Sequence, residues 1–349
     1  MKALGPLLTE LRAEEGLAGL GLVAARGDGP VEGLFVGTDP IGQPLGPDTL
    51  LPVASITKLA TALAVLRLVD AGDLWLDDPL ARHLPEAASA RPGVTLRRLL
   101  SHSSGVPYHI PEDMAAEGGP DASWRAIAER CLQTPVERPP GTYVQYGNLA
   151  YGLLALVVER RTGLEVPGAL RDLVLGPLGI EGYLGIPPRP WAHVKDVGGP
   201  HAGTTYEPYN TAGFLALGLP YAGLVTTAAG ALALLRVFLG RPSGFLREAT
   251  RAEATRNQNR ELGGGFSPPR VWPRCPWGLG PELRDAKEPH PAPVEASPGS
   301  FGHGGATGCY AWADPTTGAV WMFHGLRSYV SGWMERAGPR IGRAILALA

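Results

Sequence analysis

The sequence predicts an α+β fold in which the two ends of the chain build one sheet and a mainly helical subdomain is inserted between them. Three observations carry that prediction. Residues 16–38, GLAGLGLVAARGDGPVEGLFVGT, set short apolar runs on either side of Gly-Asp-Gly, which is a hairpin signal. Three-to-four spacing of apolar residues then dominates from 55 to about 175. The last third returns to strands before a closing helix from about 330 to 348. The chain divides accordingly into a sheet domain over 1–60 and 220–349 and a helical subdomain over 61–219.

After the hairpin, LPVASITKLATALAVL (51–66) begins the helical part. TLRRLLSH, SWRAIAERCLQ, NLAYGLLALVVERRTG and PGALRDLVLGPLG follow with helical spacing, the third as an amphipathic helix. Residues 214–235, FLALGLPYAGLVTTAAGALALL, run 22 positions without a charge, the length of a membrane span. Gly218, Pro220 and Gly223 break the first half, so the stretch reads as a buried loop followed by a core helix. PWGLGPELR and GCYAWADPTTGAVWMFHGLR supply late strands, the second as a pair around Asp-Pro-Thr-Thr-Gly.

At 349 residues and 44% hydrophobic content the chain can bury a substantial core. A formal net charge of -2 and a pI near 6.5 create no field able to recruit nucleic acid or an anionic membrane. The expected partner is a small, roughly neutral molecule. Cys131, Cys275 and Cys309 are far apart and lack CxxC spacing, so they read as buried fillers, not as a disulfide framework or a zinc site. The opening residues, MKALGPLLTELRAEEGL, meet acidic side chains by position 10 and build no export-type apolar run, which suggests a cytoplasmic protein.

Ser55 and Lys58 stand three residues apart at the start of an apolar run. On a helix those positions share a face, so the hydroxyl and the amine can meet. At a helix N-terminus the backbone N–H of Ser55 is also open to a developing oxyanion. The chain has only four lysines against 27 arginines and twelve serines. Chance therefore predicts roughly 0.14 Ser-x-x-Lys matches. Arginine cannot lose its proton, whereas a desolvated lysine can serve as a neutral base. The plain alternative is an N-cap serine with a lysine snorkelling to the surface.

A second group, Tyr146 and Asn148, immediately precedes a helix. Beside a lysine ammonium the phenolate of Tyr146 is favoured, which would let it relay a proton. Asn148 offers an amide to a substrate carbonyl or to Lys58. Read plainly, they are a core aromatic and an N-cap. The third group is FGHGGATG (301–308), whose glycines let backbone approach a ligand and whose edge can supply a second oxyanion N–H from Ala306. His303 adds a hydrogen bond and, when protonated, a charge. A tight glycine-rich bend with a satisfied histidine is the alternative.

Taken together, Ser55-Ile56-Thr57-Lys58, Tyr146-Gly147-Asn148 and His303-Gly304-Gly305 resemble the Ser-x-x-Lys, Tyr-x-Asn and Lys-Thr-Gly or His-x-Gly motifs of the serine penicillin-recognising superfamily. The resemblance is to its class C beta-lactamase-like branch of carboxylesterases, DD-peptidases and related amidohydrolases. TLRRLLSHSSGVP and YAGLVTTAAGALALL also look like stretches of that family, and the likeness spans about 16 to 326.

The resemblance implies a mostly antiparallel sheet with helices on both faces, a helical subdomain and a cleft between them. It implies that Ser55 attacks an ester or amide carbonyl to give an acyl-enzyme, with Lys58 and Tyr146 sharing the proton transfers. Backbone N–H groups of Ser55 and Ala306 would hold the oxyanion, and Asn148, His303, Gly304 and Gly305 would bind substrate. No cofactor or metal is called for, and the partner is a small-molecule ester or amide.

Histidine in place of the family's lysine weakens the case for anionic beta-lactams and tilts the reading to an intracellular esterase, with a beta-lactamase or D-amino-acid peptidase as the alternative and a retired binding protein behind both. The proline-rich segments between 265 and 300 are expected at the cleft rim, with Trp272 and Trp277 touching substrate or packing the loops down. No Gly-x-Ser-x-Gly elbow, His-Glu-x-x-His or phosphate-binding loop is present. His102 is expected to fix the turn after its helix.

Overall fold

The computed structural model describes residues 1–108, 123–197, 207–266 and 270–348. The chain opens with α1 (Gly5–Glu14), which has Pro6 in its first turn, where a missing N–H costs nothing. The hairpin β1 (Gly19–Arg26) and β2 (Glu32–Gly37) follows, then the short β3 (Leu51–Pro52). Helices α2 (Thr57–Ala71), α3 (Leu80–His83), α4 (Leu96–Leu100) and α5 (Trp124–Gln133) come next. β4 (Val144–Gln145) precedes α6 (Leu149–Thr162), α7 (Val166–Leu170) and β5 (Gly182–Leu184). Thr95 and Ser123 cap α4 and α5, each accepting a hydrogen bond from a first-turn N–H.

The second half contains α8 (Ala212–Ala216), β6 (Leu224–Thr226), α9 (Ala228–Phe238), α10 (Glu248–Ala254), β7 (Gly264–Gly265), β8 (Val271–Trp272) and β9 (Glu282–Leu283). It closes with β10 (Phe301–Gly305), β11 (Cys309–Asp314), β12 (Ala319–His324) and α11 (Trp333–Leu346). The expected hairpin, late strand pair and closing helix are all present within a few residues of their predicted bounds.

The main sheet has six antiparallel strands in the order β2-β1-β12-β11-β10-β9, so β1 from the start of the chain lies beside β12 from its end. Both faces are covered. Val23, Ala311, Val320 and Met322 face the cluster that holds α9, whereas Leu22, Tyr310, Trp312, Trp321 and Phe323 face α1 and α11. Burial on both sides explains why these strands read as unbroken apolar runs without alternation. At Gly21 a Cβ would lie 2.1 Å from Nε2 of the buried His324, so the missing side chain leaves room for that imidazole beside the paired strand.

Two expectations change. α6 is enclosed on nearly every side, so it is a core helix and not an amphipathic one; its polar residues are confined to the C-terminal turn. The apolar stretch 214–235 contains a strand as well as a loop and a helix, because Leu224–Thr226 pairs between β3 and β5. Three residues are too few for periodicity to reveal a strand; only the distant partner makes it one. No helix among the described residues is long and apolar enough to cross a membrane.

The largest core cluster runs across the division expected between 1–60 with 220–349 and 61–219. It joins Leu59 and Leu63 of α2, Leu153 and Leu154 of α6, and Leu232 and Leu235 of α9. α2 is therefore the shared wall of sheet and helices, and its N-terminus emerges where the two layers meet.

Candidate active site

Ser55 lies in a short 3-10 turn, Ala54–Ile56, that joins β3 to α2. The residue before it, Ala54, has φ 47°, a left-handed conformation that costs a non-glycine residue roughly 1–3 kcal/mol. Thr57 holds the turn: its hydroxyl donates to the Ala54 carbonyl (2.6 Å) and accepts the N–H of Leu224 (3.0 Å). The capping alternative for Ser55 fails, because α2 begins without any side-chain cap. Its hydroxyl instead meets Lys58 Nζ at 3.1 Å and hydrogen-bonds the hydroxyl of Tyr146.

Lys58 does not reach the surface. It is wholly buried, 4.9 Å from the centre of the Tyr146 ring, and Nζ also contacts Asn148 Oδ1 (2.8 Å) and the Tyr221 carbonyl (3.1 Å). Burial pulls its pKa well below the 10.5 of a free lysine. A neutral amine has two hydrogens and one lone pair. The Asn148 and Tyr221 oxygens can only accept and so take both hydrogens, which leaves the lone pair for the Ser55 hydroxyl. In this state Ser55 donates to Lys58.

Tyr146 corrects an expectation. Beside an ammonium its phenolate would be favoured, yet burial is the larger influence and pushes its pKa well above 10, with the Ser55 hydrogen bond opposing. The same desolvation therefore shifts both Lys58 and Tyr146 toward their neutral forms. The phenol lies among Phe266, Trp277 and His303, at centroid distances of 4.2, 5.6 and 5.8 Å.

β10 borders the other side. At Gly305 a Cβ would stand 2.3 Å from the Val53 carbonyl, so the absence of a side chain lets this strand lie directly on the turn that carries Ser55. Gly304, Gly305 and Ala306 line the same cavity as Ser55, Tyr146 and Asn148. His303 differs from the substrate contact expected of it: its ring is buried behind Tyr146 and Trp277, and Nδ1 lies 2.7 Å from the adjacent Gly304 carbonyl. Burial and the nearby Lys58 lower its pKa to about 4, so at neutral pH it carries no charge.

The cavity has a volume of about 360 Å³, the size of a small-ligand pocket. Tyr209, Phe214, Leu219, Phe266 and Trp272 give it an apolar wall. Of the two tryptophans expected at the rim, Trp272 lines the cavity; Trp277 is fully buried and supports Tyr146 from behind. Residues 267–269 of the proline-rich rim lie outside the described residues. Among the described residues no three His, Cys, Asp or Glu side chains are grouped as metal ligands.

A family model described as Beta-lactamase matches residues 6–332. The chain belongs to the beta-lactamase family. Esterase EstB of Burkholderia gladioli is 38% identical over 168 residues, covering 43% of each chain. Penicillin-binding protein 4 of Amycolatopsis lactamdurans is 30% identical over 290 residues, 78% of this chain and 71% of that protein. With EstB, the match thus spans less than half of the relative's length. A solved beta-lactamase structure from Mycobacterium bovis superposes with a TM-score of 0.68 at 25% identity, covering 97% of this chain and 98% of the other. An esterase, a penicillin-binding protein and a beta-lactamase are thus among the proteins that this beta-lactamase-family chain resembles.

Three features of the family member's site escape sequence reasoning. The Tyr221 carbonyl that receives Lys58 belongs to a loop where any residue supplies the same atom, so no side-chain signal exists. Glu282 lines the cavity and is paired at 2.8 Å with the fully buried Lys287, whose ammonium also lies 5.1 and 4.9 Å from the Trp272 and Trp277 rings. The third is His102, whose ring packs 4.7 Å from that of Tyr146. Its place in LLSHSSG marks it only as a turn residue.

Proposed function

We propose that this protein is a serine hydrolase that forms an acyl-enzyme through Ser55 and acts as a carboxylesterase on small esters. The observation that carries this reading is the geometry at Lys58, whose Nζ lies 3.1 Å from Ser55 Oγ, 2.8 Å from Asn148 Oδ1 and 3.1 Å from the Tyr221 carbonyl. Once the amine is neutral, the two oxygens take its hydrogens and its lone pair is left to the Ser55 hydroxyl. Ser55 Oγ attacks the ester carbonyl carbon while its proton passes to Lys58. The carbon–oxygen bond to the alcohol then breaks, and the leaving oxygen takes the Tyr146 proton, which Lys58 restores. Water next attacks the acyl carbonyl, gives a proton to the same pair, and Ser55 leaves with its hydroxyl reformed. The N–H groups of Ser55 and Ala306 are assigned to the oxyanion; loss of one such donor typically lowers turnover about 10²–10³-fold.

The apolar wall and the neutral, turned-away His303 support a substrate without a carboxylate at that position. Likeness to a penicillin-binding protein favours a second reading, a beta-lactamase or D-amino-acid peptidase. A panel of p-nitrophenyl esters and nitrocefin, run on wild type and Ser55→Ala with fluorophosphonate labelling alongside, separates the two. We expect rapid turnover of short esters, little of nitrocefin, and neither turnover nor labelling in Ser55→Ala. Preference for nitrocefin would shift the reading to the lactam or peptide class, and a wild type that resists labelling would remove it.

A further inference from the structure

Five consecutive backbone N–H groups run through the segment that carries Tyr146 and Asn148, and each has an acceptor. Val144 and Tyr146 donate to the carbonyls of Gly263 and Gly265, at 3.0 and 2.9 Å, as partners of a neighbouring strand. Gln145 and Gly147, which point the opposite way, both donate to His102. Gln145 N–H reaches the His102 carbonyl (2.8 Å), and Gly147 N–H reaches His102 Nδ1 (3.4 Å). Asn148 N–H then goes to the Tyr108 carbonyl at 3.1 Å.

His102 thus presents two acceptors to donors two residues apart, the spacing at which a second strand would offer its carbonyls. One residue replaces a strand on the side of Tyr146 away from β7. It does so at φ 59°, a left-handed conformation that non-glycine residues avoid unless the surroundings hold them there.

The imidazole is closed in by Tyr146, Tyr151 and Trp277, with ring centroids 4.7, 5.2 and 4.9 Å away. Burial lowers its pKa well below 6.5, which favours the neutral ring. If Nδ1 accepts from Gly147, the ring hydrogen sits on Nε2, which is buried with no hydrogen-bond partner. An aromatic hydrocarbon would fill this cage without stranding a donor, so the unmet Nε2 is a cost to stability that the contact made by Nδ1 must offset.

We propose that His102 is a positioning residue for the Tyr146-Gly147-Asn148 segment, clamping the backbone on both sides of Tyr146 so that the phenol and the Asn148 amide stay in register with Ser55 and Lys58. The inference rests on the hydrolase reading for its kinetic consequence. His102 does not line the cavity, so it acts through Tyr146 and not on substrate.

The test compares His102→Phe, which keeps the ring contacts and removes the acceptor, with His102→Asn, which restores a short acceptor. Misplacement of a reacting group by about 1 Å can cost on the order of 10²-fold. We expect His102→Phe to lose about 10- to 100-fold in kcat with KM within about threefold, and to slow fluorophosphonate labelling of Ser55 equally. His102→Asn should recover a large part of both.

A folded His102→Phe with wild-type kcat, or equal losses in both variants, overturns the proposal. Nitrogen NMR of wild-type His102 gives a readout that needs neither variant to fold nor any turnover. An Nε2–H tautomer with coupling to the Gly147 amide supports the clamp, and an Nδ1–H tautomer overturns it. If wild type turns over neither ester nor nitrocefin and resists labelling while the tautomer is as expected, the hydrolase reading fails and the clamp stands.

Discussion

A lysine can act as a base only if it gives up its proton, and burial shifts Lys58 in that direction. Lys58→Arg keeps a donor for Asn148 and Tyr221 but offers no lone pair, since a guanidinium stays protonated. We expect it to slow Ser55 labelling by about 10²–10⁴-fold, the usual share of a general base. Wild-type kcat/KM should rise with pH as the ammonium of Lys58 is lost, with the limb centred well below 10.5. The raised pKa of Tyr146 means that no alkaline fall from phenolate formation should appear near 10. Equal labelling rates in wild type and Lys58→Arg would show that Lys58 is not the base. Ser-x-x-Lys was legible in the sequence because both partners lie on one helical turn. The neutrality of Tyr146 was not, because it depends on walls contributed by Phe266, Trp277 and His303 from remote segments.

Among the elements, β10 and the turn before α2 depend on each other. A methyl added at Gly305 meets the Val53 carbonyl at 2.3 Å, a backbone atom that cannot swing aside. Gly305→Ala should therefore destabilise the protein by about 1–3 kcal/mol, as overpacking does, while moving Ala306 away from Ser55 and lowering kcat. Denaturant midpoints and ester kinetics measured together check this, and unchanged values of both would mean the strand has room to retreat. The glycine cluster was visible as a close-approach signal, yet the sequence did not say what approached. Likewise α6 announced a helix through its spacing, whereas its full enclosure by neighbours emerged only from packing.

For the molecule as a whole, buried histidines tie stability to acidity. His303 and His324 have folded pKa values of about 4 against 6.5 when exposed, burial being the first cause for each. As pH falls below 6.5 the unfolded chain takes up protons that the folded chain refuses, so stability is full above that pH and declines down to about 4. Each group should contribute a loss on the order of 3 kcal/mol across that window. Urea melts at a series of pH values test it, and a decline that begins only below the carboxylate range would exclude the histidines as its cause. The sequence by itself determined the first hairpin, the late strand pair, the longer helices and the pairing of Ser55 with Lys58 on one turn, because periodicity and short spacings are local properties. Only the tertiary structure decided that Lys58 meets the Tyr221 carbonyl, that His303 turns from the cavity, and that His102 stands in for a strand behind Tyr146. Those outcomes depend on backbone atoms and on desolvation, which are set by residues far away along the chain and carry no residue-type signature of their own.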